Sequence, residues 1–148
     1  MRQHIKILFL DIDGVCNNQK TRERQGTTKY IGINPVMADR VRRIITETGC
    51  KVVLSSSWRL FPDSKEWAEK NVCEFFDVTV DLNRGAIWGM VYRGFEIKEW
   101  LGRHPGACRY AILDDSDDFL WGQHLFRTTW AEGLTDDIAD AVIAHLNA

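Results

Sequence analysis

The chain has no Cys-x-x-Cys pair, although it carries four cysteines. Cys16, Cys50, Cys73 and Cys108 stand singly, which speaks against a zinc ribbon or dithiol redox motif and suits reduced thiols in a cytosol. No apolar run approaches the ~20 residues of a membrane span, and the N-terminus lacks the apolar stretch of a signal peptide. A cytoplasmic location with no membrane partner is therefore expected. Charge of one sign is also missing. A net charge of −2 over 148 residues sets up no global field for nucleic acid, so contact with a polyanion must be local. None of the four histidines falls in a motif, so no histidine catalysis is expected. No repeat, linker or low-complexity stretch breaks the chain, and residues 1–148 read as one domain. What is present is 45% hydrophobic and 27% charged residues, enough to bury a core without staples.

Strands and helices alternate. Ile5–Leu10 is apolar apart from Lys6, as in a central strand covered on both faces. Asn34-Pro35 starts a helix, with Asn34 as N-cap and Pro35 at its first position, and Gly49 stops it. Met37, Val41, Ile44 and Ile45 follow helical spacing between them. Lys51–Ser55 is a second buried strand. Asp63 and Glu66 form a capping-box-like pair before a helix bearing Trp67 and Val72. Short edge strands are expected at Val78–Val80 and Ile87–Tyr92. A helix follows around Phe95, Ile97, Trp100 and Leu101. Arg109–Leu113 is a third buried strand, His124–Thr128 a fourth, and Thr135 caps a final helix. This order predicts an α/β fold, a Rossmann-like parallel sheet with helices on both faces. The segment from Cys16 to Ile33 is long, polar and charged. It reads either as a flap over a site or as a solvated surface loop.

Chemistry-bearing residues gather where strands end. Leu8-Phe9-Leu10-Asp11-Ile12-Asp13-Gly14 closes a strand with two carboxylates one residue apart, and glycine lets the chain turn there. An acidic turn after an edge strand is the competing reading of that motif alone. The run Ser55-Ser56-Ser57 ends the second strand, and Asp114-Asp115 ends the third. Ligands of open parallel sheets bind beyond the carboxyl ends of the strands. Each pair of like charges about 4 Å apart costs about 4 kcal/mol at an effective dielectric of about 20. Such a cluster must take up protons or hold a cation. Oxygen donors without His or Cys select a hard ion, and Mg²⁺ is the usual one beside phosphate. Serine hydroxyls and the Lys98 ammonium would then offset the charge on a phosphate.

In these motifs the sequence resembles the haloacid dehalogenase (HAD) superfamily of phosphotransferases over nearly its whole length. The resemblance implies that Asp11 is a nucleophile forming an aspartyl-phosphate and that Asp13 is the acid/base. It implies phosphate contacts from the serine run, with Ser56 chosen over Ser55 and Ser57 beside it, and from Lys98 in RGFEIKEWL. It implies Mg²⁺ on Asp11, the Asp13 backbone carbonyl and Asp114, with Asp115 direct or through water. FLDIDGV, VVLSSSWR and YAILDDSDDF further resemble the compact HAD domains of Swiss Army Knife RNA-repair proteins. More distantly, they are similar to the phosphatase domain of polynucleotide kinase-phosphatases. The presence of Asp13 disfavours dehalogenation. With about 38 residues between Asp13 and the second strand, many of them helical, no large cap domain is expected.

Six tryptophans are many for this length. Trp58, followed by Arg59, is a candidate for stacking on a substrate base, or alternatively packs beneath the sheet edge. Lys20, Arg22, Arg24 and Lys29 make the 16–33 segment locally basic, to recruit a polyanion or merely to solvate a loop. The expected function is Mg²⁺-dependent hydrolysis of a phosphomonoester; an open site, the basic segment from Lys20 to Lys29 and Trp58-Arg59 together suggest a phosphorylated RNA or DNA terminus as substrate. The alternatives are a nucleotide or sugar phosphatase, a phosphotransferase, and a receiver-like or binding-only domain. A receiver is disfavoured because its phosphorylated Asp follows an earlier acidic pair, whereas here the DxD comes first. Sequence leaves the oligomeric state open.

Overall fold

The computed structural model describes residues 4–24, 30–84 and 91–148. Five parallel strands form one sheet in the order β3-β2-β1-β4-β5. They are β1 (Ile5–Leu10), β2 (Lys51–Leu54), β3 (Asp77–Val78), β4 (Ala107–Asp114) and β5 (Leu125–Arg127). The helices are α1 (Pro35–Thr48), α2 (Pro62–Asn71), α3 (Arg93–Gly102) and α4 (Asp136–Asn147), with a single 3-10 turn at Ser57–Leu60.

Alternation along β1 builds both layers of the core. Leu8 and Leu10 pack with Val41 and Ile44 of α1, Ala68 of α2 and Val142 of α4. Ile7 and Phe9 point the other way, against Ile97 and Trp100 of α3. Phe9 meets the Trp100 ring edge to face at 5.4 Å, and the Trp100 indole N–H donates to Asp77 Oδ2 at 2.8 Å. A strand buried on both faces must be apolar on both, as the β1 sequence is. The chain steps outward from β1 to β2 to β3, and α3 carries it back across the sheet to β4 on the other side of β1. The loops after β1 and β4 therefore diverge, and this switch point opens a crevice at the carboxyl edge. Among the described residues no inserted domain covers that edge, and no helix is long and apolar enough to cross a membrane.

α1 begins as its sequence implies, with Asn34 Oδ1 accepting from the Val36 and Met37 amides. Thr135 likewise caps α4, accepting from Ile138 N–H. Several boundaries differ. α2 starts at Pro62 with no side-chain cap, so Asp63 lies inside the first turn and the expected capping box does not form. Proline favours the first helical position, and its fixed φ sets the start ahead of Asp63. β2 ends at Leu54 rather than Ser55, and the edge strand is Asp77–Val78 rather than Val78–Val80. Residues 87–90 of the expected strand Ile87–Tyr92 lie outside the described residues, and Val91 and Tyr92 lead straight into α3.

Candidate active site

Register aligns the ends of three strands. Leu10 of β1 pairs with Leu54 of β2 and with Leu113 of β4, so the next residues in one row are Asp11, Ser55 and Asp114. Backbone hydrogen bonds continue across that row. The Asp11 amide donates to Leu113 O at 2.9 Å, and the Ser55 amide to Leu10 O at 3.0 Å. After Asp11 the chain turns sharply, with the Val15 and Cys16 amides both donating to Ile12 O. The turn needs Gly14 for two reasons. Its φ is +83°, and a Cβ there would lie 2.2 Å from Asp115 Oδ2. The missing side chain is the space that Asp115 occupies. Thr128 Oγ1 donates to Gly14 O and fixes the turn from the β5 side.

Asp11, Asp114 and Asp115 each place a carboxylate oxygen within 4.8 Å of the others. Asp11 is 5% exposed and Asp114 fully buried. Burial, aided by the neighbouring Asp114 charge, pushes the Asp11 carboxyl well above the usual aspartate range, although Arg93 opposes this. Burial and Asp114 raise Asp115 as well. The Arg93 guanidinium lies 3.4 Å from Asp11 Oδ1 and 2.5 Å from Asp114 Oδ2. Burial works against its charge, but Asp11 and Asp114 outweigh that effect and hold it protonated. Among the described residues Arg93 is the one cation paired with these carboxylates, which leaves negative charge unmatched. The group contains only oxygen donors, two of them buried, and the residues fit a hard divalent cation such as Mg²⁺.

Arg93 is a residue that sequence reasoning missed. It opens α3, and Gly94 allows the close approach that puts it there. A Cβ on Gly94 would meet Leu120 N at 2.6 Å and Phe119 Cα at 2.9 Å, so the helix start presses against the loop after β4. Asp118 receives the Arg93 amide on its carboxylate and the Gly94 amide on its carbonyl. The signal was available in RGFEIKEWL, as an arginine and glycine opening a helix. Lys98, the expected cation, is exposed on α3. Five residues beyond Arg93 is about 140° round a helix, so the two cannot share a face. Arg93, not Lys98, meets the carboxylates.

Asp13 is held separately. Trp58 Nε1 donates to its Oδ2 at 3.1 Å, and Asn17 Nδ2 to its Oδ1 at 3.0 Å. Asn17, fully buried and missed in the sequence, also donates to Gly32 O and accepts from the Gly14 amide. Trp58 is only 5% exposed, and the Arg24 guanidinium covers its ring at 4.1 Å. Arg24 is itself buried, donating to Ser64 Oγ and Ile31 O. The expectation that Trp58 stacks on a substrate base is thus corrected: its face is taken, and its N–H orients Asp13. Arg59 is corrected too. Its guanidinium donates to the carbonyls of Ser55, Ser56, Thr79 and Val80 and pairs with buried Glu96 at 2.9 Å. It braces the loop after β2 and has no donor to spare for substrate.

The three serines differ. Ser55 shares the row with Asp11, and its buried hydroxyl has no partner among the described residues. Ser56 Oγ accepts from the Trp58 amide as cap of the 3-10 turn, and Ser57 is exposed at its start. The segment from 16 to 33 is described at 16–24 and 30–33. It folds back through a Glu23–Ile31 bridge beside Asp13, leaving Lys20 and Arg22 exposed. Lys29 lies outside the described residues.

A parallel sheet with DxD after its central strand and a further aspartate pair after the neighbouring one defines a compact HAD-type domain, a class whose members are in general phosphatase-type hydrolases that use Mg²⁺. The family model described as the HAD domain in Swiss Army Knife RNA repair proteins matches residues 7–139, and the chain belongs to that family. A search of curated proteins found no match.

Proposed function

We propose that the chain is a Mg²⁺-dependent phosphomonoesterase working through an aspartyl-phosphate on Asp11. The observation that carries this reading is the convergence of Asp11, Asp114 and Asp115 opposite Arg93 at the carboxyl edge. In the first step an Asp11 carboxylate oxygen attacks phosphorus, the bond to the ester oxygen breaks, and Asp13 protonates the leaving alkoxide. In the second, Asp13 takes a proton from water as the water oxygen attacks the same phosphorus, and Asp11 is released with inorganic phosphate. Trp58 and Asn17 hold Asp13 in place through both steps. Arg93 and the Ser55 hydroxyl offset the charge that builds on the transferring phosphoryl oxygens. Asp11, the Asp13 carbonyl and Asp114 would hold Mg²⁺, with Asp115 direct or through water. The ion supplies charge neutralisation and Lewis acidity.

The RNA-repair description of the family favours a phosphorylated nucleic-acid terminus over a sugar phosphate. Hydrolysis of a phosphate ester tests the reading directly. Chelator should remove turnover, added Mg²⁺ should restore it, and Asp11→Asn should abolish it in a chain that still folds. Full turnover in excess chelator would refute the metal dependence.

A further inference from the structure

A cavity of about 840 Å³ opens beside Asp13, between Arg24, Tyr30 and Ile31 on one side and the start of α2 on the other. We propose that it is the subsite for the leaving group and that it takes a nucleoside, recognised through its base. The proposal rests on the phosphomonoesterase reading and adds to it where the leaving group lies and what it is.

Position is the first argument. Asp13 lines this cavity, and its carboxylate is fixed by Trp58 and Asn17 rather than drawn into the Arg93 cluster. The group proposed to protonate a leaving oxygen therefore lines the cavity, two residues along the chain from Asp11. The walls are the second argument. Tyr30, Phe61 and Trp67 line it; Arg24 lies over the Tyr30 ring at 5.1 Å, whereas Phe61 stays 60% exposed despite its size. Aromatic surface left in water beside a cleft marks a place where something flat can stack. Stacking on Trp58 is excluded, because Arg24 covers that ring.

Polar groups supply the third argument. The Trp67 indole N–H is buried with no acceptor among the described residues. Buried donors are nearly always partnered, and this one belongs to a residue of the cavity wall, so a ligand acceptor would satisfy it. Asp63, exposed in the first turn of α2, lines the same cavity and offers an acceptor. A ligand meeting this set is flat and carries both ring acceptors and N–H donors on its edge. A nucleobase does so, whereas a sugar phosphate has no flat face and an acyl chain no hydrogen-bonding edge. The volume lies within the ~300–1,000 Å³ usual for small-molecule sites.

The test compares adenosine 5′- and 3′-monophosphates with ribose 5-phosphate and ribose 3-phosphate, the matching sugar phosphates without the base, and adds a phosphorylated trinucleotide. Binding of the four unphosphorylated nucleosides is read separately by tryptophan fluorescence. At least one nucleotide should be turned over with kcat/KM about tenfold or more above its matching sugar phosphate, since each stacked base is worth roughly that factor. At least one nucleoside should bind. Phe61→Ala should weaken that binding about fivefold or more at an unchanged melting temperature. Trp67→Phe, which keeps a ring and loses the donor, should weaken it as well. A trinucleotide that outperforms the mononucleotides identifies a chain terminus as the source of the base, and parity identifies free nucleotides; both support the subsite. If no ester is hydrolysed but nucleosides bind and Phe61→Ala weakens them, the subsite stands and the phosphatase reading falls. Sugar phosphates turned over as well as their matching nucleotides, with no nucleoside bound at millimolar concentration, would overturn the proposal and leave the phosphatase reading intact.

Discussion

Replacing Arg93 by Gln removes the one guanidinium that, among the described residues, pairs with the carboxylate cluster, while keeping much of the side chain. Its distance from Asp11 is 3.4 Å, where a pair of unit charges interacts by about 5 kcal/mol at an effective dielectric of about 20. Desolvation cancels part of that attraction, but the partners cannot leave: Asp114 is fully buried and Asp11 nearly so. Removing one member of a buried pair costs about 3–5 kcal/mol. Arg93 is 22% exposed, which places the expected loss at the lower end, about 3 kcal/mol. For a domain of this size that corresponds to a fall in melting temperature of about 6–12 °C. Melting in chelator should show this drop, with Lys98→Ala as a control that melts with the wild type. Mg²⁺ binds the folded state and relieves the same repulsion, so it should raise the variant's melting temperature more than the wild type's. If Arg93→Gln melts within 2 °C of wild type in chelator (about 1 kcal/mol or less), or if Mg²⁺ fails to narrow the gap, Arg93 does not balance the cluster.

Two other outcomes follow from the same geometry. Burial raises the Asp11 and Asp115 carboxyls in the folded chain, so the folded state binds protons more tightly than the unfolded one. In chelator, stability should therefore be greatest below the ordinary aspartate value of about 4 as far as these two groups go, and should fall as pH rises through the raised folded values. Mg²⁺ should flatten that fall, and chemical denaturation at several pH values checks it. Trp58→Phe keeps a ring beneath Arg24 but removes the donor to Asp13. It should lower kcat about tenfold with little change in KM, because one hydrogen bond to a charged group is worth about 1.5–3 kcal/mol; unchanged steady-state kinetics would remove Trp58 from its positioning role.

The carboxylates were legible in the sequence for a simple reason. A strand buried on both faces is an unbroken apolar run, so Asp11 and Asp114 mark its end without ambiguity, and parallel pairing brings such ends into one row. Ser55 and Ser56 differ by one residue of strand length, and the Leu10–Leu54 register puts Ser55 in the row with Asp11. Lys98 fits the resemblance as a lysine near the start of a helix that, by its apolar spacing, begins near Phe95. Beginning at Arg93 instead makes the first residue the one that points at the site. Trp58 and Arg59 follow the serine run, but sequence adjacency does not say which way side chains leave a 3-10 turn. One turns to Asp13 and the other to Glu96. Neither polyanion recruitment nor loop solvation, the two readings that sequence offers for Arg24, anticipates its bond to Ser64, 40 positions away. Each miss involves a long-range contact or a phase around a helix, which local pattern does not carry.

The central claim is a covalent bond between Asp11 and phosphorus. Acid quenching during turnover of a phosphate ester in Mg²⁺, followed by peptide mass analysis, reads it directly. The account predicts one phosphoryl group on the peptide carrying Asp11, labile to hydroxylamine, and its absence from Asp11→Asn. Turnover by Asp11→Asn at the wild-type rate, with no phosphorylated peptide in either protein, would contradict it.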